Sequence, residues 1–228
     1  MLYLHEIIDI VGTGQEKYMQ TVIERAAHSQ GEGISRLVGC WKVIGSTNRW
    51  PRVVNLWEMD GWGHWAATLE RQFLPDRKDP ALAPWWAKAT EWRSGGFDRI
   101  LEPAAYSPTR AQLVESGLRA WVCIHTVARV RAGKSEEYLD RLDSDLRPTM
   151  AKEGLSLMGA YRVPMRNDET VVIWAAPTFA RACGVFESRR TVAGLQNWTH
   201  VENLLLLESE TMWLVPAEDC FFFPRIES

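Results

Sequence analysis

Two histidines occupy matching places in two similar stretches of the chain, and their chemistry suits proton transfer. His5 lies in "YLHEIIDIVGTGQEKYMQ" at 3–20, and His125 lies in "CIHTVARVRAGKSEEYLD" at 123–140. An imidazole changes its charge near neutral pH, so each histidine is a candidate general acid or base. The alternative is a structural histidine, because a polar side chain in a core needs a hydrogen-bond partner.

An asparagine and several large aromatic residues could complete a site around such a histidine. Asn55 interrupts an apolar run, and its amide could orient a substrate carbonyl or a bound oxygen molecule. The chain contains 12 Trp, a side chain that is favoured in pockets as well as in cores. Ordinary core packing would also explain each aromatic residue taken singly. The candidate pocket walls are Trp41, Trp57, Trp62, Tyr161 and Trp174.

Nucleotide, metal and haem sites find little support. "GTG" at 12–14 is followed by Lys17 rather than by the glycine of a dinucleotide fingerprint, and "GKS" at 133–135 lacks the first glycine of a phosphate loop. Asp140, Asp143 and Asp145 crowd one helix beside arginines, which favours local ion pairs over a metal site. A haem would need an axial ligand such as His64 or His200, and neither has a haem signature around it. We therefore predict neither a metal nor a cofactor.

Composition limits the partners and the compartment. The net charge is −3, which gives no electrostatic case for nucleic acid or for an anionic membrane. The first ten residues carry two acids and no basic segment, unlike a signal peptide, and the run "LLLL" at 204–207 is too short to span a bilayer. Four widely spaced cysteines fit a reducing environment. These features predict a cytoplasmic protein.

The chain repeats itself. "LVGCWKV" at 37–43 matches "LMGAYRV" at 157–163, which pairs Trp41 with Tyr161, and "RVVNLWEM" at 52–59 matches "TVVIWAAP" at 170–177. Matches in the same order indicate a tandem duplication. We predict a first repeat at 1–103, a linker at 104–118 with a helical turn or two, and a second repeat at 119–228.

Each repeat reads as strand, helix, two strands, a helical segment and a last strand. Runs of β-branched and aromatic residues, bounded by Gly, Pro and Asn, predict the strands. These strands are expected near 2–11, 35–44, 52–59, 97–102, 120–130, 155–164, 170–176 and 208–215. The runs are apolar on both faces, so both faces of each sheet should be covered. Helices can cover one face and the sheet of the other repeat can cover the second.

A tryptophan-rich helix is expected after the third strand. Asp60 is a fair N-cap, and helical spacing places Trp62, Trp65, Ala66, Leu69 and Phe73 on one inward stripe. The same spacing turns His64 away from that stripe. Trp62 could then serve as a lid over a pocket.

The ordered motifs resemble those of the dimeric α/β-barrel superfamily and, within it, of NIPSNAP-like proteins. The resemblance rests on "IVGTGQEKY" and "RVRAGKSEEY", and on "RILEP" and "WLVP" at the ends of the two units. It implies an α+β fold of tandem ferredoxin-like repeats, whose antiparallel four-stranded sheets pack as an intrachain dimeric α/β barrel. It also implies a range of chemistries, including cofactor-free oxygenases, haem-dependent enzymes, lyases, isomerases and polyketide cyclases. Some members have no established activity.

One main hypothesis and two alternatives follow. In the main hypothesis, a cofactor-independent lyase, isomerase or cyclase uses His5 or His125 to move a proton and Asn55 to orient a small apolar or aromatic substrate. The first alternative is a cofactor-free or haem-linked monooxygenase. The second is a non-catalytic NIPSNAP-like binding or interaction module. Homo-oligomerisation is left open.

Overall fold

The computed structural model describes residues 1–28, 35–80 and 82–224, and all eight predicted strands are confirmed. Two of them begin or end a few residues outside the predicted bounds. The strands are β1 Leu2–Ile10, β2 Arg36–Val43, β3 Arg52–Met59, β4 Arg93–Pro103, β5 Val122–Val130, β6 Ser156–Arg162, β7 Glu169–Ala176 and β8 Leu206–Pro216. The helices are α1 Gln15–His28, α2 Trp62–Phe73, α3 Leu82–Thr90, α4 Arg110–Glu115, α5 Ser135–Arg141, α6 Arg147–Lys152, α7 Phe179–Ser188 and α8 Ala193–Leu205.

The strands form one closed barrel in the order β1-β3-β2-β8-β5-β7-β6-β4. Strands β4, β1, β3 and β2 make one antiparallel sheet, and β8, β5, β7 and β6 make the other. Short antiparallel pairings of β2 with β8 and of β4 with β6 join the two sheets. The predicted fold class is confirmed: two ferredoxin-like units close into a dimeric α/β barrel within one chain.

Side chains from both sheets fill the barrel interior. Tyr3 and Ile7 of β1 pack in one cluster with Cys123 and Val127 of β5, and strand alternation places the intervening His5 on the same inward face. Burying a Val, Leu or Ile side chain stabilises a fold by roughly 1.5–3 kcal/mol, so this core contributes strongly to holding the sheets together. The other face of each sheet is covered by helices, as expected.

A glycine two residues before a large aromatic ring shapes each join between the sheets. A Cβ at Gly39 would lie 2.1 Å from the ring of Trp41, and a Cβ at Gly159 would lie 2.0 Å from the hydroxyl oxygen of Tyr161. Both glycines also sit at an irregularity in strand register. The G-x-aromatic pattern shared by the two repeats therefore lets each ring fold back over its own strand.

In the second repeat, apolar residues at helical spacing form a stripe that is buried, as the spacing predicts. Leu139, Leu142, Leu146 and Met150 all pack in one core cluster on the helix-facing side of the second sheet. A π-helical turn at 142–146 separates α5 from α6. In the predicted linker, α4 begins with a capping box between Thr109 and Gln112. The predicted repeat boundaries stay predictions, and the last of them, residue 228, lies outside the described residues.

The tryptophan-rich corner differs from the expectation. His64 is buried, whereas Trp62 is 44% exposed and Phe73 is 69% exposed, so the predicted inward stripe is wrong. Helix α2 contacts the sheet through Trp65, and the Nδ1 atom of His64 accepts the Asp60 backbone N–H at 3.3 Å. Asp60 is therefore not the N-cap; Gly61 occupies that position without a side-chain cap. Helical spacing determines which residues of α2 share a face, but the packing of α2 against the sheet determines which face turns inward.

Two further expectations concern charge and hydropathy. Asp143 pairs with Arg147, and Asp145 pairs with Arg141 at 2.6 Å, so these acids form local ion pairs as predicted. In the described part of the chain, no helix combines the length and the apolar character that crossing a membrane requires.

Candidate functional site

The two candidate histidines meet at the centre of the barrel. The Nε2 atoms of His5 and His125 lie 2.9 Å apart, and the rings stack with centroids 4.9 Å apart and planes 11° from parallel. Neither side chain has exposed surface. One ring must donate and the other accept, which requires at least one neutral imidazole.

Burial keeps both histidines neutral. Desolvation lowers the pKa of His125 to about 3, with a further contribution from the positive charge of Arg99. Desolvation also lowers the pKa of His5 well below its ordinary value, assisted by His125 and Arg99. In the described part of the chain, neither Nδ1 atom has a hydrogen-bond partner. The pair joins the sheets across the barrel, out of contact with solvent.

Two predicted pocket walls also lie inside the barrel. Trp41 and Tyr161 are fully buried, Trp41 stacking on Phe222 at 5.6 Å and Tyr161 lying 4.9 Å from the ring of Tyr3. Trp57 and Trp174 instead lie on the helix-facing side of the first and second sheets. Trp62 is on the surface. The structure thus distributes the predicted site residues among four places: the barrel interior, the helix-facing side of each sheet, and the surface.

A cavity of about 400 Å³ opens between the second sheet and its helices, and we call it the aromatic cavity. This volume lies in the range of small-molecule sites. Trp174 is the one predicted site residue on its wall. Its apolar walls are Ile124, Tyr138, Leu146, Met150, Val172, Trp174, Val185, Phe186, Leu195, Trp198, Leu206 and Leu207. Its polar lining residues are Thr126, Arg189, Thr199, Glu202, Asn203, Ser209 and Thr211.

Four polar side chains of the aromatic cavity form two pairs. The hydroxyl groups of Thr126 and Thr211 lie 3.0 Å apart on the sheet, and Arg189 forms an ion pair with Glu202 on the helical side. Burial raises the pKa of the Glu202 carboxyl above its ordinary value. Burial also raises the pKa of the Tyr138 phenol, which therefore stays protonated. Glu202 is the group on this wall best placed to exchange a proton with a bound molecule.

The corresponding face of the first sheet carries a carboxylate instead of threonines. The Oε2 atom of Glu6 accepts hydrogen bonds from Trp57 Nε1 at 2.9 Å and from Asn55 Nδ2 at 3.1 Å. Asn55 Nδ2 is also 3.5 Å from the hydroxyl oxygen of Tyr18. We call these four residues the Glu6 cluster. Asn55 and Trp57 were predicted site residues, and the structure brings them together around an acid rather than around a histidine.

Several residues of these sites were missed from the sequence. Glu6 interrupts the apolar run "LYLHEIIDI", which is the same signal that drew attention to Asn55. Glu202 and Arg189 lie on amphipathic helices where charged residues are ordinary, so no local signal singles them out.

The haem-linked alternative would need an axial ligand, and no histidine among the described residues lines the aromatic cavity. His200 is exposed on α8, and His64 is buried at the start of α2. The described residues therefore do not fit a histidine-ligated haem there, and no step proposed below depends on one. A second depression of about 520 Å³ lies beside α4, and its only charged lining residue is Arg119.

No family model matches the chain, and no curated protein matches it. Solved structures resemble it at low identity. A protein from Lactobacillus acidophilus NCFM, provisionally assigned as a monooxygenase, is 10% identical, with 94% of this chain and 93% of that one covered at a TM-score of 0.66. An anthrone oxidase-like protein is also 10% identical, with 95% and 91% covered at a TM-score of 0.59.

A NIPSNAP-domain protein from Burkholderia xenovorans is 21% identical over 48% of this chain and 100% of that one, at a TM-score of 0.38. That likeness is too distant to carry an argument. The first two matches, at 10% identity, speak to the fold alone: this chain has the fold of the dimeric α/β barrels.

Proposed function

We propose that this dimeric α/β-barrel chain is a cofactor-independent enzyme that binds a small, largely apolar or aromatic molecule in the aromatic cavity. The observation that supports it is a cavity of about 400 Å³ with aromatic walls and an ionisable carboxyl beside a guanidinium. Apolar walls with few polar groups are typical of small-molecule sites.

Proton transfer in this proposal belongs to Glu202. A flat substrate would lie between Trp174 and Trp198, with an acidic C–H or O–H bond directed at the carboxylate. The raised pKa brings Glu202 nearer to neutral pH, which makes it a better base than an exposed carboxylate. The positive charge of Arg189 would stabilise the anion that forms. Returning the proton to another atom gives isomerase chemistry, and losing a group from the anion gives lyase chemistry. Attack of the anion on a carbonyl carbon of the same molecule, whose oxygen then takes up the proton, gives cyclase chemistry.

The proposal moves the proton transfer away from the histidines. His5 and His125 have no exposed surface and do not line the aromatic cavity, so a molecule bound there would not touch them. Their part is to hold the barrel closed.

A monooxygenase is the second candidate, because a protein with the same fold is provisionally assigned as one. The same deprotonation would yield a carbanion that reacts directly with molecular oxygen. One oxygen atom would replace the two hydrogens of a substrate methylene group as a carbonyl, and the other would leave as water. The substrate itself supplies the electrons, so no cofactor is needed.

Anthrone is a suitable probe, because it is flat, apolar and has an acidic methylene group. We expect anthrone to bind, to exchange its methylene hydrogens in D₂O, and in the oxygenase case to consume oxygen. Glu202→Gln should slow exchange by about a hundredfold or more, the usual contribution of a general base, with little change in anthrone affinity. Glu187→Gln, an exposed acid on α7, is the matched control and should change neither quantity.

The outcomes separate the hypotheses. Binding without accelerated exchange would support a non-catalytic binding module and overturn the enzyme proposal. Exchange that persists in Glu202→Gln would remove Glu202 as the base. Binding that persists after Val185→Trp, which fills the aromatic cavity, would remove the cavity as the site.

A further inference from the structure

The Glu6 cluster has unfilled hydrogen-bonding groups around it. Asn55 is fully buried, yet its Oδ1 atom has no partner, and the same is true of the buried atoms Trp85 Nε1 and Arg93 Nη1. An unpartnered buried donor or acceptor costs about 1–3 kcal/mol, so such atoms are uncommon unless something fills them. Among the described residues, none that lines the aromatic cavity has a buried polar atom without a hydrogen-bond partner.

The three unpartnered atoms belong to the Glu6 cluster and to residues packed around it. Trp85 packs against the same helix-facing core cluster as Tyr18 and Trp57. The guanidinium of Arg93 stacks on Trp86 at 5.0 Å and is close enough to Glu6 to lower the carboxyl pKa. The face of the first sheet under α1 and α3 therefore carries acceptors on its strands and unpartnered donors at its edge.

The charged groups near Glu6 are a second acid, Asp98, and two guanidiniums, those of Arg93 and Arg25. Glu6 and Asp98 face each other across the β1–β4 pairing, and Glu6 has no ion-pair partner among the described residues. Burial raises the pKa of Glu6, and the charge of Asp98 raises it further, so a cation between these acids would relieve both effects. Arg93 carries an unused N–H, and Arg25 lies 4.0 Å over the ring of Trp85.

We propose that the Glu6 cluster, together with Trp85 and Arg93, is a second ligand site that binds a small zwitterion of the amino-acid class. The ligand ammonium group meets Glu6 and Asn55 Oδ1, and the ligand carboxylate meets the N–H groups of Arg93 and Trp85. The rings of Tyr18 and Trp57 accommodate an apolar side chain. This site lies on the first sheet and is separate from the aromatic cavity.

L-Phenylalanine is the probe, compared by calorimetry with 3-phenylpropionate, 2-phenylethylamine and phenyllactate. Loss of a hydrogen bond to a charged group costs about 1.5–3 kcal/mol, so removing either charged group from the probe should weaken binding about tenfold to a hundredfold. Phenyllactate, which has a hydroxyl in place of the ammonium, should bind as weakly as phenylpropionate. Equal binding of phenyllactate and L-phenylalanine would overturn the ammonium assignment.

Two variants test the ammonium contact and the carboxylate contact separately. Glu6→Gln should weaken L-phenylalanine binding about tenfold or more and leave 3-phenylpropionate unchanged, because only the ammonium contact is lost. Arg93→Gln should weaken both by a similar factor. Glu6→Gln keeps an acceptor for Trp57 and Asn55, and a wild-type circular dichroism spectrum confirms that each variant is folded.

Glu202→Gln is the control from the other site and should leave L-phenylalanine binding unchanged. Anthrone binding should likewise be unchanged in Glu6→Gln, so failure of one site is distinguishable from failure of the other. The proposal would be overturned if L-phenylalanine did not bind at millimolar concentration. It would also be overturned if the affinity for L-phenylalanine were unchanged in both Glu6→Gln and Arg93→Gln.

Discussion

Acidification tests the buried His5–His125 pair directly, because both rings are held neutral inside the barrel. Consider a histidine whose pKa is lower in the folded chain than in the unfolded chain. It makes its full contribution to stability at pH values above its pKa in the unfolded chain. That stability is lost as the pH falls from the unfolded pKa toward the folded pKa, since the unfolded chain then binds protons that the folded chain does not. For His125 this window runs from 6.5 down to about 3.

The size of the effect follows from the unfolded value. About pH 5 is about 1.5 units below the pKa of an unfolded imidazole, while the folded His125 is still neutral, which costs about 2 kcal/mol for this histidine. The pKa of His5 is lowered in the same direction, so His5 adds to a loss that is already a sizeable part of the stability of an ordinary domain. The raised pKa values of Glu6, Asp98 and Glu202 act in the opposite direction. The contributions of these acids to the free energy of unfolding are the same in the variants and in the wild type, so they cancel in the comparison.

Urea unfolding followed by tryptophan fluorescence at about pH 7.5 and about pH 5 measures this difference. The variant His125→Gln should lose about 2 kcal/mol less on acidification than the wild type, and His5→Gln/His125→Gln should lose less still. His200→Gln, at an exposed site, is the matched control and should behave as the wild type. Equal acid losses in the wild type and the double variant would refute a neutral, buried pair.

Three stability predictions concern backbone space and charge burial, each measured by urea unfolding. Gly39→Ala should cost about 1–3 kcal/mol because the new Cβ would lie 2.1 Å from the ring of Trp41. Gly184→Ala, in a helix with no atom within 4 Å, should instead stabilise by about 0.5–1 kcal/mol; destabilisation there would contradict the packing described. Glu169→Ala should cost about 3–5 kcal/mol because it removes a buried acid and leaves Arg99, whose side chain is only 11% exposed, unpaired. Asp145→Ala, in an exposed pair, should cost under about 1 kcal/mol, and similar costs for both acids would argue against the burial of Glu169.

Much of the scaffold could be read from local pattern. β-branched and aromatic runs located all eight strands, because strand formation depends on side chains that suit a pleated, covered surface. Apolar residues on both faces of those strands required two covering layers. That requirement was met by helices outside and by the opposite sheet inside.

The site was harder to predict because its parts come from distant segments. Glu202 and Arg189 are ordinary charged residues on two helices until the chain folds and places them on one cavity wall. The expected role of Trp62 failed for a related reason, since the docking of α2 through Trp65 left it exposed. Asn55 and Glu6 could be noticed as polar interruptions of apolar strands, but their shared hydrogen bond could not.

The histidines show where sequence and tertiary structure divide. The sequence by itself determined that His5 and His125 occupy equivalent positions and that each shares a face with fixed neighbours, because side chains alternate along a strand. Alternation does not say which face meets the helices and which meets the other sheet. Closure of the barrel decided that, turning both histidines inward to meet each other at 2.9 Å and leaving the outward faces of the sheets, with Glu6 on one and Thr126 on the other, to the helix-covered sites.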